Sequence, residues 1–119
     1  MPILFRPDMV PLILSGCKTV TRRRGKKRWN VDAIHQAWTK RGGPAFARVL
    51  IVSVNQEAAP GSPDGLLMSD RWLTDESRYE GFAFWPDFEA AYVALNGGDP
   101  KVLRQPCWRV EFEVVTEDA

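Results

Sequence analysis

Gly16-Cys17-Lys18-Thr19-Val20-Thr21-Arg22-Arg23-Arg24 is the stretch on which the reading of this chain turns. A lysine, two threonines and three arginines follow one another with no acid among them. Upstream, Val10, Ile13 and Leu14 fall at helical spacing. Asp8 stands where it could cap that helix, Pro11 suits its first turn, and Gly16 suits the left-handed residue that ends it. Lys18 to Arg23 then reads as a polar strand. Its alternation puts Thr19, Thr21 and Arg23 on one face and Lys18, Val20 and Arg22 on the other.

Working outward, Pro2 to Phe5 reads as a first short strand and Arg22 to Arg28 as a basic loop. The segment from Trp29 to Trp38 is compatible with helix or strand, with strand favoured. Phe46 to Val54 is rich in β-branched residues and reads as a buried strand. Pro60, Gly61, Pro63 and Gly65 mark Ala58 to Asp70 as a mobile loop. Thr74 is placed to cap a short helix from about Asp75 to Glu80, closed by Gly81. Pro86 to Leu95 reads as another helix, with Phe88, Tyr92 and Leu95 on one face, and Asp99 to Pro106 as a connection. Trp108, Val110, Phe112 and Val114 alternate with Arg109, Glu111 and Glu113, the signature of a half-buried strand. Thr116 to Ala119 is a polar tail. Strands interrupted by two or three short helices predict an α+β fold built on a small, partly open β-barrel.

The chain has 119 residues, 45% of them apolar, which suits one domain, residues 1–119, with one core. Arg6 and Asp8 interrupt the N-terminal apolar run, reading against a signal peptide, and no run suits a membrane span. Cys17 and Cys107 lack metal-site or disulfide spacing and read as reduced thiols, so a cytoplasmic location is expected. With His35 as the sole histidine, neither a metal nor another cofactor is expected. The net charge of +1 is unevenly spread: Lys18 to Arg48 holds ten Lys/Arg and one acid, Asp32, leaving the remainder of the chain acidic. Such a basic lobe implies an anionic partner, or else a solvated loop.

Threonine becomes a useful nucleophile only beside a base. Lysine can be that base if burial or neighbouring cations lower its pKa. Lys18 lies close in sequence to Thr21, Arg22 and Arg23, and Glu80 at a helix end could supply a carboxylate. Lysine, threonine and glutamate together can cleave an amide, as base, nucleophile and proton donor to the departing amine. An ideal strand would turn Lys18 and Thr21 to opposite faces, so this chemistry requires the chain to bend near Lys18. The plainer alternatives are ordinary polar strand residues at Lys18, Thr19 and Thr21, and a Glu80 that pairs with Arg78 or a core arginine. Among the five tryptophans, Trp29 and Trp85 are the candidates to stack on a base.

Taken together, Ile3-Leu4-Phe5, Met9 to Leu14, and Gly16-x-Lys18-Thr19-x-Thr21-x-Arg23 resemble the opening of an ASCH domain, a relative of the PUA RNA-binding fold. The likeness returns at Leu73-Thr74-Asp75, Glu80-Gly81-Phe82, Phe88, and Trp108 to Glu113. One branch of that family consists of small bacterial amidohydrolases that deacylate N4-acetylcytidine and related N4-acylcytosine nucleosides. The resemblance implies catalytic roles for Lys18, Thr21 and Glu80. It makes Arg23 a substrate contact, alongside Thr19, Trp29 and Phe82 as substrate-binding candidates. Two departures stand out: a heavier basic run at Arg22 to Arg28, and Val31-Asp32-Ala33 where many members have a Gly-Asp turn. The first favours the other reading, an RNA-binding or RNA-cleaving module that uses the basic lobe. The expected partner is therefore a small nucleoside or RNA, with no membrane and no DNA sequence readout.

Overall fold

The structure is a computed structural model that describes residues 2–66 and 68–115. The polar tail at 116–119 lies outside the described residues, as do Met1 and Leu67. A five-stranded mixed sheet carries the fold, in the order β1 (Ile3–Leu4), β3 (Ile34–Trp38), β4 (Ala47–Glu57), β5 (Cys107–Val114), β2 (Val20–Arg23). β1 runs parallel to β3, and the other pairings are antiparallel. The sheet curls into a half-barrel whose two edges are β1 and β2. Three α-helices complete it: α1 (Val10–Leu14), α2 (Asp70–Tyr79) and α3 (Trp85–Leu95). The expected α+β, partly open barrel is what the chain forms.

β5 follows its alternation closely. Val110 and Phe112 are fully buried, and their intervening neighbours reach outward or sideways. β4 departs from the buried strand expected there. Val49 and Ile51 face the core, whereas Val52 is 39% exposed, and a bulge between Ile51 and Ser53 shifts the register against β5. The bulge re-aims the end of the strand. Glu57, paired with Cys107, is thereby buried at 1% exposure. The main core gathers Phe5, Ile13, Trp29, Ile51, Val110 and Phe112. A second cluster, Phe88, Tyr92, Val102 and Cys107, seats α3 against the sheet.

Several helix boundaries differ from the sequence reading. Asp8 caps nothing; it lies in a 3-10 turn, Pro7–Met9, and its carboxylate pairs with Arg6 at 2.7 Å. α2 begins at Asp70, capped by Ser69, whose Oγ accepts from Trp72 N at 3.2 Å. Ser69 has the extended backbone an N-cap requires, and Thr74 is left inside the helix. Leu14 and Leu95, expected on buried faces, are exposed. The expected mobile loop folds back on itself, with Ala59 bridged to Ser62 and Gly61 packed on Trp85. Residues 100–104 form a 3-10 turn. Asp32 adopts a left-handed φ of 70°, a conformation that aspartate tolerates better than most residues, so the Val31-Asp32-Ala33 turn forms without glycine.

Candidate active site

The path of the chain out of α1 places Lys18. Gly16 takes a φ of 82°, and Cys17 N and Lys18 N both donate to Leu12 O, at 2.9 and 3.0 Å. This turn brings Lys18 inward before the strand begins, because β2 starts at Val20 and not at Lys18. The alternation that would have separated Lys18 from Thr21 therefore does not apply. Lys18 Nζ donates to Val20 O at 2.8 Å, to Glu80 O at 2.7 Å and to Glu80 Oε1 at 3.2 Å. Burial pushes its pKa below the usual lysine value. The Glu80 carboxylate opposes that shift, and Arg23 and Arg22 reinforce it.

Glu80 stands one residue beyond α2, and Gly81, with a φ of 94°, ends the helix behind it. The second Glu80 oxygen accepts from Arg22 Nη1 at 2.9 Å. Arg22 is the centre of a buried ionic network. Its Nε and Nη2 grip Glu57 at 2.7 and 3.2 Å, and Nη2 also reaches Glu76 at 2.6 Å. Arg109 takes Glu76 from the other side, at 2.6 and 3.1 Å. Lys18, Arg22 and Arg109 thus balance Glu57, Glu76 and Glu80. Burial alone would disfavour the Arg22 charge, but its carboxylate partners outweigh it and fix the guanidinium in its charged form. The aromatic rings of Trp85 and Phe88 lie 5.5 and 5.7 Å from the Arg22 guanidinium carbon.

Thr21 is 5% exposed, and its Oγ1 accepts from Arg23 Nε at 2.9 Å. Arg23 Nη2 donates in turn to Leu4 O at 2.7 Å, so this side chain bridges β2 and β1, the two edges of the half-barrel. Its guanidinium packs 5.2 Å from the Phe5 ring and 5.9 Å from the Trp29 ring. Beside that bridge opens a cleft of about 560 Å³, lined by Lys18, Thr21, Arg23, Trp29, Glu80 and Phe82 among others. Trp29 Nε1 and Tyr92 Oη, both on residues that line it, are buried without a hydrogen-bond partner among the described residues. They are donors that a polar ligand could satisfy.

Thr19 lies outside this cleft. Its backbone joins Tyr79 O and Phe112 N at 2.9 and 2.8 Å, and its side chain borders a separate shallow groove. The expected shared face thus holds for Thr21 and Arg23 but not for Thr19. Trp85 packs on Arg22 and Phe88 and does not line the cleft. The basic lobe is smaller at the surface than its sequence count. Lys18 and Arg22 are buried and neutralised, whereas Arg24, Lys26, Lys27 and Arg28 are exposed. Sequence reasoning passed over Glu57, Glu76 and Arg109. One signal was available: Glu76 on α2 and Glu80 just past its end fall four apart, a spacing at which like charges repel unless a cation lies between them.

No family model matches the chain, and no curated protein matches it. Solved structures do. The crystal structure of a hypothetical protein aligns over 96% of this chain and 97% of its own, at 12% identity and a TM-score of 0.65. The ASCH domain from Lactobacillus crispatus aligns over 95% of this chain and 77% of its own, at 15% identity and a TM-score of 0.61. ASCH from Zymomonas mobilis covers 95% of this chain and 68% of its own, at 15% identity and a TM-score of 0.59. The fold is that of the ASCH, PUA-like domains.

Proposed function

We propose that this chain is an amidohydrolase that removes the acyl group from N4-acetylcytidine or a related N4-acylcytosine nucleoside. The observation that carries the reading is the meeting of Lys18 and Glu80 in the floor of a cleft that Thr21 also lines. The first half of the reaction forms an acyl-threonine. Lys18, once its ammonium has lost a proton, takes the hydroxyl proton of Thr21, whose oxygen attacks the acyl carbon. Arg23 donates to that same oxygen, which leaves the hydroxyl proton free to depart and stabilises the threonine alkoxide as it forms. The proton passes from Lys18 to Glu80 Oε1 along their hydrogen bond, and from Glu80 to the cytosine amine as the carbon–nitrogen bond breaks. In the second half, water loses a proton to Lys18 and attacks the acyl-threonine ester, and Lys18 returns that proton to the departing Thr21 oxygen, releasing the carboxylic acid and restoring both residues. Trp29 and Phe82 offer apolar walls to the pyrimidine.

The second reading is an RNA-binding module. It is favoured by the exposed run Arg24, Lys26, Lys27 and Arg28, of which Arg24 and Arg28 border the cleft. Ligand size separates the two, because a small partly enclosed cleft suits a nucleoside better than a long strand. Following N4-acetylcytidine absorbance and acetate release decides between them. Turnover by the wild type that is lost in Thr21→Ala supports the amidohydrolase. RNA binding without turnover by either protein would replace it with the second reading.

A further inference from the structure

The charges around the cleft do not cancel. Among the described residues, six cationic side chains line it, against a single acid, Glu80. Lys18 and Arg22 are neutralised by the buried glutamates, and Arg6 by Asp8. Arg23, Arg24 and Arg28 are left with no carboxylate in ion-pair range among the described residues. Arg23 has spent two donors on Thr21 and Leu4. Arg24 has spent one, from Nη2 to Gln105 at 2.7 Å, and Arg28 none. Two exposed guanidinium groups with most of their donors open, and a third behind them, therefore edge a cleft walled by Phe5, Trp29 and Phe82.

A nucleoside is neutral and would leave all three charges uncompensated. A phosphate monoester carries between one and two negative charges near neutral pH and offers oxygens that match the arginine fork. Low-dielectric walls strengthen this preference. The cleft volume of about 560 Å³ leaves room for the added group, within the usual size of roughly 300–1,000 Å³ for small-ligand sites.

We infer that the substrate is a 5′-phosphorylated N4-acylcytidine, a mononucleotide, with the acylated base beside Lys18, Thr21 and Glu80 and the phosphate held by Arg24 and Arg28. The inference rests on the amidohydrolase reading for its reaction, but the anion site can be tested without turnover.

Two measurements, made together, test it. The first is kcat/KM for N4-acetylcytidine and for its 5′-monophosphate at low and raised salt. The second is the affinity for cytidine and for cytidine 5′-monophosphate, read by tryptophan fluorescence. The expected result is a roughly ten- to hundredfold preference for the monophosphate, the size of one charge-assisted hydrogen bond. Salt should reduce it. Arg24→Met and Arg28→Met, both at exposed positions that the fold does not depend on, should each bring the ratio of the two substrates toward one. Equal kcat/KM for the two substrates would overturn the phosphate site and leave the amidohydrolase standing. If neither is hydrolysed but the monophosphate binds tighter than cytidine, the anion site stands and the amidohydrolase fails. If neither is hydrolysed and both bind equally, or not at all, the inference is overturned. It also fails if an oligonucleotide carrying the acylated base internally is a better substrate than the mononucleotide.

Discussion

The ammonium of Lys18 lies 3.2 Å from Glu80 Oε1 and 2.7 Å from the Glu80 carbonyl oxygen, so one cation holds both the side chain and the backbone of a residue 62 positions away. The bond ties the turn after α1 to the end of α2. It also places a base and a carboxylate in direct contact inside a cleft. The rest of the Glu80 carboxylate is committed to Arg22, and through Arg22 to Glu57 and Glu76.

Removing Arg22 should be far more damaging than a change at a surface arginine. Arg22→Met strands the buried Glu57 and takes one of two cationic partners from Glu76 and from Glu80, which keep Arg109 and Lys18. Breaking a buried pair typically costs about 3–5 kcal/mol, against a total stability of about 5–15 kcal/mol. A large fall in Tm, or a chain recovered only insoluble, is expected, whereas Lys27→Met should leave Tm within a degree or two. Parallel thermal melts of the two variants check this.

Acid should unfold the protein partly through Glu76. Burial would raise its pKa, but hydrogen bonds from Arg109 and Arg22, with their charges, outweigh burial and hold it below the usual carboxylate value. A group depressed in the folded state stabilises above its unfolded pKa, about 4.3 for glutamate, and that stability is lost as pH falls through the folded value. Urea midpoints measured from neutral pH down past that range should fall. In Glu76→Gln they should start lower and depend less on pH.

Gly81 carries a packing constraint beside its left-handed φ. A Cβ there would lie 3.1 Å from Leu12 Cδ1 and from Met9 Sδ, and 3.6 Å from Lys18 Cδ. Left-handed backbone costs a residue with a side chain about 1–2 kcal/mol. Gly81→Ala should therefore lower Tm and, by displacing Leu12, whose carbonyl oxygen anchors the turn that carries Lys18, lower kcat more than it raises KM. Steady-state kinetics and a melt on this variant check both parts.

How much of this was legible in the sequence differs from element to element. β5 could be read because its alternation is strict and its core side is purely apolar. Lys18, Thr21, Arg23, Glu80 and Phe82 could be nominated by motif and Trp29 as a ring that could stack on a base, and they line one cleft. Thr19 could not be separated from them, because local alternation does not reveal that the strand begins two residues later, at Val20. The start of α2 was misplaced because Ser69 and Thr74 are both credible caps, and only tertiary packing chooses between them. Arg22 was hidden most completely. In sequence it is one of a run of basic residues, and its three acidic partners lie 35 to 58 positions away. No local pattern distinguishes a buried arginine from a solvated one. The same blindness inflated the apparent basic surface and concealed the network that fixes Glu80.

The central claim is that Lys18 is the base, and the most direct test is the pH dependence of kcat/KM for an N4-acylcytidine in the wild type and in Lys18→Arg. Burial disfavours the ammonium, so the ionisation moves to lower pH. The wild-type rate should rise through one ionisation below the ordinary lysine value of about 10.4. Lys18→Arg should lose both that limb and most of the rate, because arginine stays protonated. A Lys18→Arg enzyme that keeps the rate and the same limb would contradict it, leaving lysine as a fixed charge and Glu80 as the group that activates water.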